Sequence, residues 1–118
     1  MAERVHNRRA TIAAGASASG AVDMYAFEPV GVHVNAWTAA TMAFEISLDG
    51  EYYAPLFDSA GAEYTISVGA LRRITFSSAL AAALKAGRFV KFRSGTSAIP
   101  VNQVAQVTVE LTLRIGSN

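Results

Sequence analysis

Side chains able to do chemistry are sparse in this chain, and their spacing does not suit the chemistry they could do. It holds two histidines, His6 and His33, and no cysteine. Thiolate nucleophiles, disulfides and cysteine metal sites are therefore excluded, and two well-separated histidines are a poor basis for a zinc site. The carboxylates Asp23, Glu28, Glu45, Asp49, Glu51, Asp58, Glu63 and Glu110 are scattered, and no two have a spacing that singles them out as an acid/base pair. Asp49-Gly50 and Asp58-Ser59-Ala60-Gly61 are better explained as turns, because an Asp side chain bonds nearby backbone N–H groups and Gly tolerates positive φ. No nucleophile elbow, phosphate-cradling glycine loop or calcium-loop pattern is present. The expectation is a protein that is not an enzyme and needs no cofactor or metal.

Side chains suited to binding are more informative. The stretch Arg93 to Gln103, RSGTSAIPVNQ, is small, polar and rich in turn formers, yet carries Arg93, Asn102 and Gln103. Gly95 permits a sharp turn, Pro100 stiffens the return, and Asn102 and Gln103 can bond backbone groups that the loop leaves unpaired. This predicts a structural connection at one end of the domain, where partners dock; a ligand loop is the alternative. Trp37, Tyr25, Tyr52, Tyr53 and Tyr64 could stack on a sugar ring. The expected role is a Trp37 plug at the end of the fold, with tyrosines half-buried on strands. Arg4, Arg8 and Arg9 cluster near the N-terminus, and Arg72 and Arg73 are adjacent. The first group suits an acidic partner surface. The candidate partner contacts are thus Arg4, Arg8, Arg9, Trp37, Arg93, Asn102 and Gln103.

The elements that would position these residues follow from composition and periodicity. Among 118 residues, 52% are hydrophobic and 16% charged, enough apolar material for one domain with a real core. A net charge of +1 argues against a protein whose main task is gripping nucleic acid or an anionic membrane. No apolar run is long enough to cross a bilayer, and MAERVHNRRATIAAG does not look like a secretory signal, so synthesis in a cytoplasm is expected.

From Val104 to Ile115, Val107, Val109, Leu111, Leu113 and Ile115 share one parity, while Thr108, Glu110, Thr112 and Arg114 take the other. That alternation predicts a half-buried strand. Thr41 to Leu48 repeats it with Met42, Phe44, Ile46 and Leu48. Asp49-Gly50 then predicts a tight hairpin into Glu51 to Phe57, where Pro55 restricts the second strand to an edge or a bulge. Arg9 to Ala13, Ala21 to Tyr25, Val30 to Asn35, Glu63 to Val68, Arg72 to Phe76 and Arg88 to Arg93 read as further short strands. Val30, Val32 and Val34 are expected on one face with His33 opposite; Val90 and Phe92 share another. Ser77 to Gly87 breaks the pattern. Its Ala and Leu content, a Ser cap and the four-residue step from Leu80 to Leu84 predict a short helix near residues 77–86. Ala14 to Gly20 reads as a flexible loop. Together these predict an all-β antiparallel sandwich over residues 11–118, preceded by an N-terminal arm over residues 1–10 that adds little to the core.

Two groups of residues carry a resemblance. Val32 to Gly50, with Ala36-Trp37-Thr38-Ala39-Ala40 and Phe44-Glu45-Ile46-Ser47-Leu48-Asp49-Gly50, resembles tailed-bacteriophage virion proteins of the head decoration or cement type. So does Arg93-Ser94-Gly95-Thr96 followed by Pro100-Val101-Asn102-Gln103 and a long alternating strand. The resemblance runs from about Thr11 to Ile115 in order. It implies a jelly-roll-like sandwich on the capsid surface, commonly a homotrimer, with the major capsid protein as partner. A carbohydrate-binding module displayed on the same virion is the alternative.

Overall fold

The computed structural model describes residues 5–25, 27–68 and 73–115, which form two antiparallel sheets packed face to face. One sheet holds, in spatial order, β1 (Val5–Ile12), β9 (Val107–Arg114), β3 (Glu28–Val34) and β7 (Arg73–Thr75). The other holds β2 (Val22–Asp23), β8 (Phe89–Ser94), β4 (Thr41–Ser47) and β5 (Ala54–Pro55), with β6 (Thr65–Ser67) also pairing with β4. Helix α1 (Ser78–Lys85) connects β7 to β8.

The pairing is nested. β1 pairs with β9, β2 with β8, β3 with β7, and β4 with both β5 and β6. If β5 and β6 count as one interrupted edge strand, this is a long folded-over hairpin rolled into a sandwich, which is the jelly-roll arrangement. The all-β expectation and its single short helix are thus what the chain builds.

Alternation explains the core. Val107, Val109, Leu111 and Leu113 of β9 are at most 1% exposed and meet Val32 and Val34 of β3 and Ala10 and Ile12 of β1. From the facing sheet come Met42 and Phe44 of β4 and Val90 and Phe92 of β8. Phe44 lies edge-on to Phe92 and Phe76, with ring centroids 6.0 and 5.8 Å apart. Ser77 caps α1 by accepting from the Leu80 N–H, and Leu80 and Leu84 turn into the core.

Several expectations need correction. The register of β3 on β9 slips between Pro29 and Gly31, so Val30 leaves the face shared by Val32 and Val34. A bulge inserts one residue and resets the parity, and Pro29 has no N–H to keep the ladder regular. His33 does project outward, opposite those valines. The β4–β5 connection is longer than a two-residue turn, because Ile46 pairs with Ala54 and Glu45 with Pro55. The Asp49 carboxylate accepts from the N–H groups of Glu51 and Tyr52 and from the Ser47 hydroxyl, which shapes this wider loop. Leu48 lies beyond the end of β4 and is 77% exposed, not in step with Met42 and Phe44. Pro55 sits on an edge strand, as its missing N–H requires.

The largest correction is at the N-terminus. All 8 residues of β1 pair with β9, from Val5 opposite Arg114 to Ile12 opposite Val107. Residues 5–10 are therefore part of the sandwich and not an arm. Ala10 and Ile12 supply apolar cover that the inner face of β9 requires, and His6 stacks on Phe27 with centroids 4.9 Å apart. Arg4 lies outside the described residues, as does Arg72.

Candidate interaction surfaces

The stretch from Arg93 to Gln103 caps one end of the sandwich. Ser94 closes β8, Gly95 turns at φ +84°, and Gly95 bridges to Pro100. The small hairpin is held by Thr96 N–H to Ile99 C=O at 3.1 Å and Val101 N–H to Ser94 C=O at 2.9 Å. Glu63, in a distant loop, braces its tip by accepting from the Ser97 N–H and hydroxyl.

Gln103 is the anchor. It is 1% exposed. Its Oε1 accepts from the Thr38 N–H at 2.9 Å, and its Nε2 donates to Ser94 Oγ at 2.8 Å. Its backbone N–H donates to Ala16 C=O, and its C=O accepts from the Gly15 N–H. One residue therefore joins three loops. Asn102, expected to share this work, is exposed and its side chain makes no hydrogen bond among the described residues. Alternation along the chain turns neighbours in opposite directions, and Gln103 took the inward side.

Residues 14–20 are also fastened, contrary to the flexible loop expected. Ser94 N–H donates to Ser17 C=O, Ser19 N–H to Phe92 C=O, and Phe92 N–H to Ser19 Oγ, so the segment runs along β8 as an extension of β2. The result is a rigid end that still displays apolar side chains: Ile99 is 72% exposed and Val104 is 82% exposed. Sequence reasoning missed Ile99, Val104 and Glu63. Nothing local distinguishes an outward Ile from an inward one in an irregular loop.

Trp37 packs against the core at this same end and donates its indole N–H to Thr41 C=O at 3.0 Å. Tyr52 and Tyr53 follow the opposite end of β4, and Tyr25 lies beside Arg88 near that end. The aromatic residues are thus divided between two ends and do not form one platform.

The remaining candidates are dispersed. Arg93 pairs with Glu45 on the outer face of its sheet. Arg9 donates to Glu110 at 3.1 Å on the outer face of the other sheet, in a cross-strand row with His33 and Arg73. Arg8 is the adjacent residue on β1, half-buried. Trp37, Gln103 and the β8 end that carries Arg93 come together, with Asn102 exposed beside them; Arg8 and Arg9, on β1, do not join them.

A second polar cluster lies at the β2–β8 edge. Both Asp23 oxygens accept from Arg88 at 2.9 Å, and the guanidinium lies 4.9 Å from the Tyr25 ring centroid. Lys91 Nζ stands 4.2 Å over Tyr53. The Arg88 hydrogen bonds hold the Asp23 carboxyl below its usual value of 3.8. The N–H groups of Glu51 and Tyr52, then the Ser47 hydroxyl, do the same for Asp49. Burial, and then the Asp49 and Asp23 charges, raise the Tyr53 phenol.

The sign of the resulting pH effect is fixed. A carboxyl depressed in the folded chain binds fewer protons there than in the unfolded chain. Its stabilisation is complete above the ordinary aspartate value and is lost as pH falls through the folded one. The urea midpoint is expected to stay flat from neutrality to about pH 5 and to drop below about pH 4, with a smaller drop in Asp49→Asn. A midpoint unchanged down to about pH 3 would mean that neither carboxylate is held.

Among the described residues no cluster of three or more His, Asp or Glu is placed to hold a metal ion, and no helix is long and apolar enough to cross a membrane. An open groove of about 600 Å³ runs between α1 and β3, floored by Pro29, Val30, Phe76 and Ala81 with Lys85 and Glu28 paired at its rim. Thr75 and Ser78 also line it, and among the described residues neither hydroxyl is hydrogen-bonded to Glu28 or Lys85. Compared with family models, with curated proteins and with solved structures, the chain matches none.

Proposed function

We propose that this chain is a head-decoration protein of a tailed-phage virion, made in the host cytoplasm and bound to the outer surface of the capsid shell. It acts by adhesion: it buries area across neighbouring major capsid subunits, as a homotrimer, so that the shell resists internal pressure. The observation that carries this reading is the meeting of two of the resembling motifs. Ala36 to Ala40 and Arg93 to Gln103 are joined at one end through the Gln103–Thr38 hydrogen bond. That end is rigid and presents Ile99 and Val104 outward. A pre-ordered loop surface with exposed aliphatic groups loses little entropy on docking, which suits a permanent adhesive contact. The jelly roll is shared by viral shell and lectin domains, so the architecture supports the reading by analogy alone.

The test is cosedimentation of the purified chain with phage heads stripped of decoration, alongside light scattering. Binding is expected, with a trimer mass. Ile99→Asp and Val104→Asp should each weaken it at least about tenfold without lowering the melting temperature, since both side chains are exposed in the free chain. Heads that take up no chain would overturn the proposal. Retention on host polysaccharide that is lost in Tyr52→Ala would replace it with the carbohydrate-binding reading.

A further inference from the structure

β1 stands at the margin of its sheet. β9 pairs with its 8 residues from one side, and no strand among the described residues pairs from the other. The direction of its backbone groups follows from β9. Thr108 turns its N–H toward the β3 side, where it donates to Asn35 Oδ1 at 2.9 Å. Backbone groups along an antiparallel strand alternate between its two neighbours. Val107, Val109, Leu111 and Leu113 therefore bond to β1, at their partners Ile12, Ala10, Arg8 and His6. The N–H and C=O groups of Val5, Asn7, Arg9 and Thr11 then point away from the sheet.

Edges of this kind are usually blunted by proline, by a bulge or by short length. β1 has none of these: its register on β9 is continuous over 8 residues and it contains no proline. It has charge instead. Arg8 and Arg9 occupy the middle of the strand, and β1 contains no carboxylate. If two copies paired antiparallel through these outward groups, residues of one parity would oppose the same parity, so the central registers set Arg9 against Arg9 or Arg8 against Arg8, and like charges directly opposite are destabilising. The edge thus repels itself while remaining open to a strand of opposite sign. Arg9 uses its Nε on Glu110, and with the side chain 74% exposed its terminal nitrogens face solvent.

We propose that the free edge of β1 is a strand-addition site for an extended, carboxylate-bearing segment of a partner chain. Ladder bonds to Val5, Asn7, Arg9 and Thr11 supply the affinity, and Arg8 and Arg9 select acidic side chains. This edge would serve such a partner whether or not the chain binds a capsid.

Amide hydrogen exchange on the full chain tests it, with peptides of the length of β1 that alternate threonine with glutamate or threonine with lysine. In the free chain the amides of Asn7, Arg9 and Thr11 are expected to exchange at least about tenfold faster than those of Arg8, Ala10 and Ile12. The glutamate peptide should slow the first set about tenfold, and the lysine peptide should not. Thr11→Pro removes an outward N–H and leaves the β9 ladder, so it should keep the fold and lose the peptide effect. If that variant melts, the pair Arg8→Glu with Arg9→Glu decides the question, because its preference should switch to the lysine peptide. Equal protection of both sets in the free chain would overturn the proposal. So would protection that rises with chain concentration alone, which would mean self-pairing, or a lack of difference between the two peptides.

Discussion

Gly95→Val is expected to lower the stability of the chain by about 3–4 kcal/mol, through two effects that act together. Gly95 holds φ +84°, a region that a β-branched residue occupies only under strain. A Cβ there would also meet Ile99 O at 2.5 Å, Val101 N at 3.0 Å and Val101 Cγ2 at 3.1 Å. The first of these is a backbone atom fixed by the Thr96 N–H bond to Ile99, so the clash is relieved only by opening the small hairpin. Gly61 separates the two effects. It holds φ +88°, but a Cβ added there would have nothing within 4 Å, so Gly61→Val should show the conformational cost alone, about 1–2 kcal/mol. Urea unfolding of both variants checks this. A loss below about 1 kcal/mol in Gly95→Val would mean that the 95–100 hairpin yields freely, and the rigid end described above would not exist.

Gln103→Ala is expected to cost about 3 kcal/mol, while Asn102→Ala beside it should change stability by no more than about 0.5 kcal/mol. Gln103 is 1% exposed and serves the Thr38 N–H and the Ser94 hydroxyl at once. Truncation leaves the buried Ser94 hydroxyl and the part-buried Thr38 N–H without their partner, and it removes packed atoms as well. Asn102 is exposed and its side chain makes no hydrogen bond among the described residues, so its truncation leaves no group unpaired. The comparison is made by thermal melting of the two variants under identical conditions. Equal losses would show that the loop is held by something other than the Gln103 side chain. Gln103→Ala should also weaken any contact made by Ile99 and Val104, since the loop that presents them loses its side-chain fastening to Thr38 and Ser94.

Much of the architecture was legible in the order of residues. The alternation from Val107 to Leu113 identifies the inner face of β9, and the same pattern in Met42 and Phe44 identifies that of β4. The four-residue step from Leu80 to Leu84 and the Ser77 cap mark α1, and Pro55 marks an edge. These signals are local: side-chain direction repeats every two residues in a strand and every 3.6 in a helix, so a short window carries them.

What the tertiary structure decided depends on distance along the chain. Whether residues 5–10 are arm or strand is settled by β9, whose Glu110 meets Arg9 across a separation of 101 residues. Whether Asn102 or Gln103 is the anchor depends on which one faces Thr38, 65 residues away from Gln103. The bulge that removes Val30 from the row of Val32 and Val34 is a property of register against β9 and not of the segment Glu28–Val34 alone. The sequence determined which side chains alternate, where the helix begins and where the chain must turn. Folding decided which strands become neighbours, which polar groups are enclosed and therefore must be paired, and which apolar side chains remain outside, because those outcomes are set by register between strands that no local window contains.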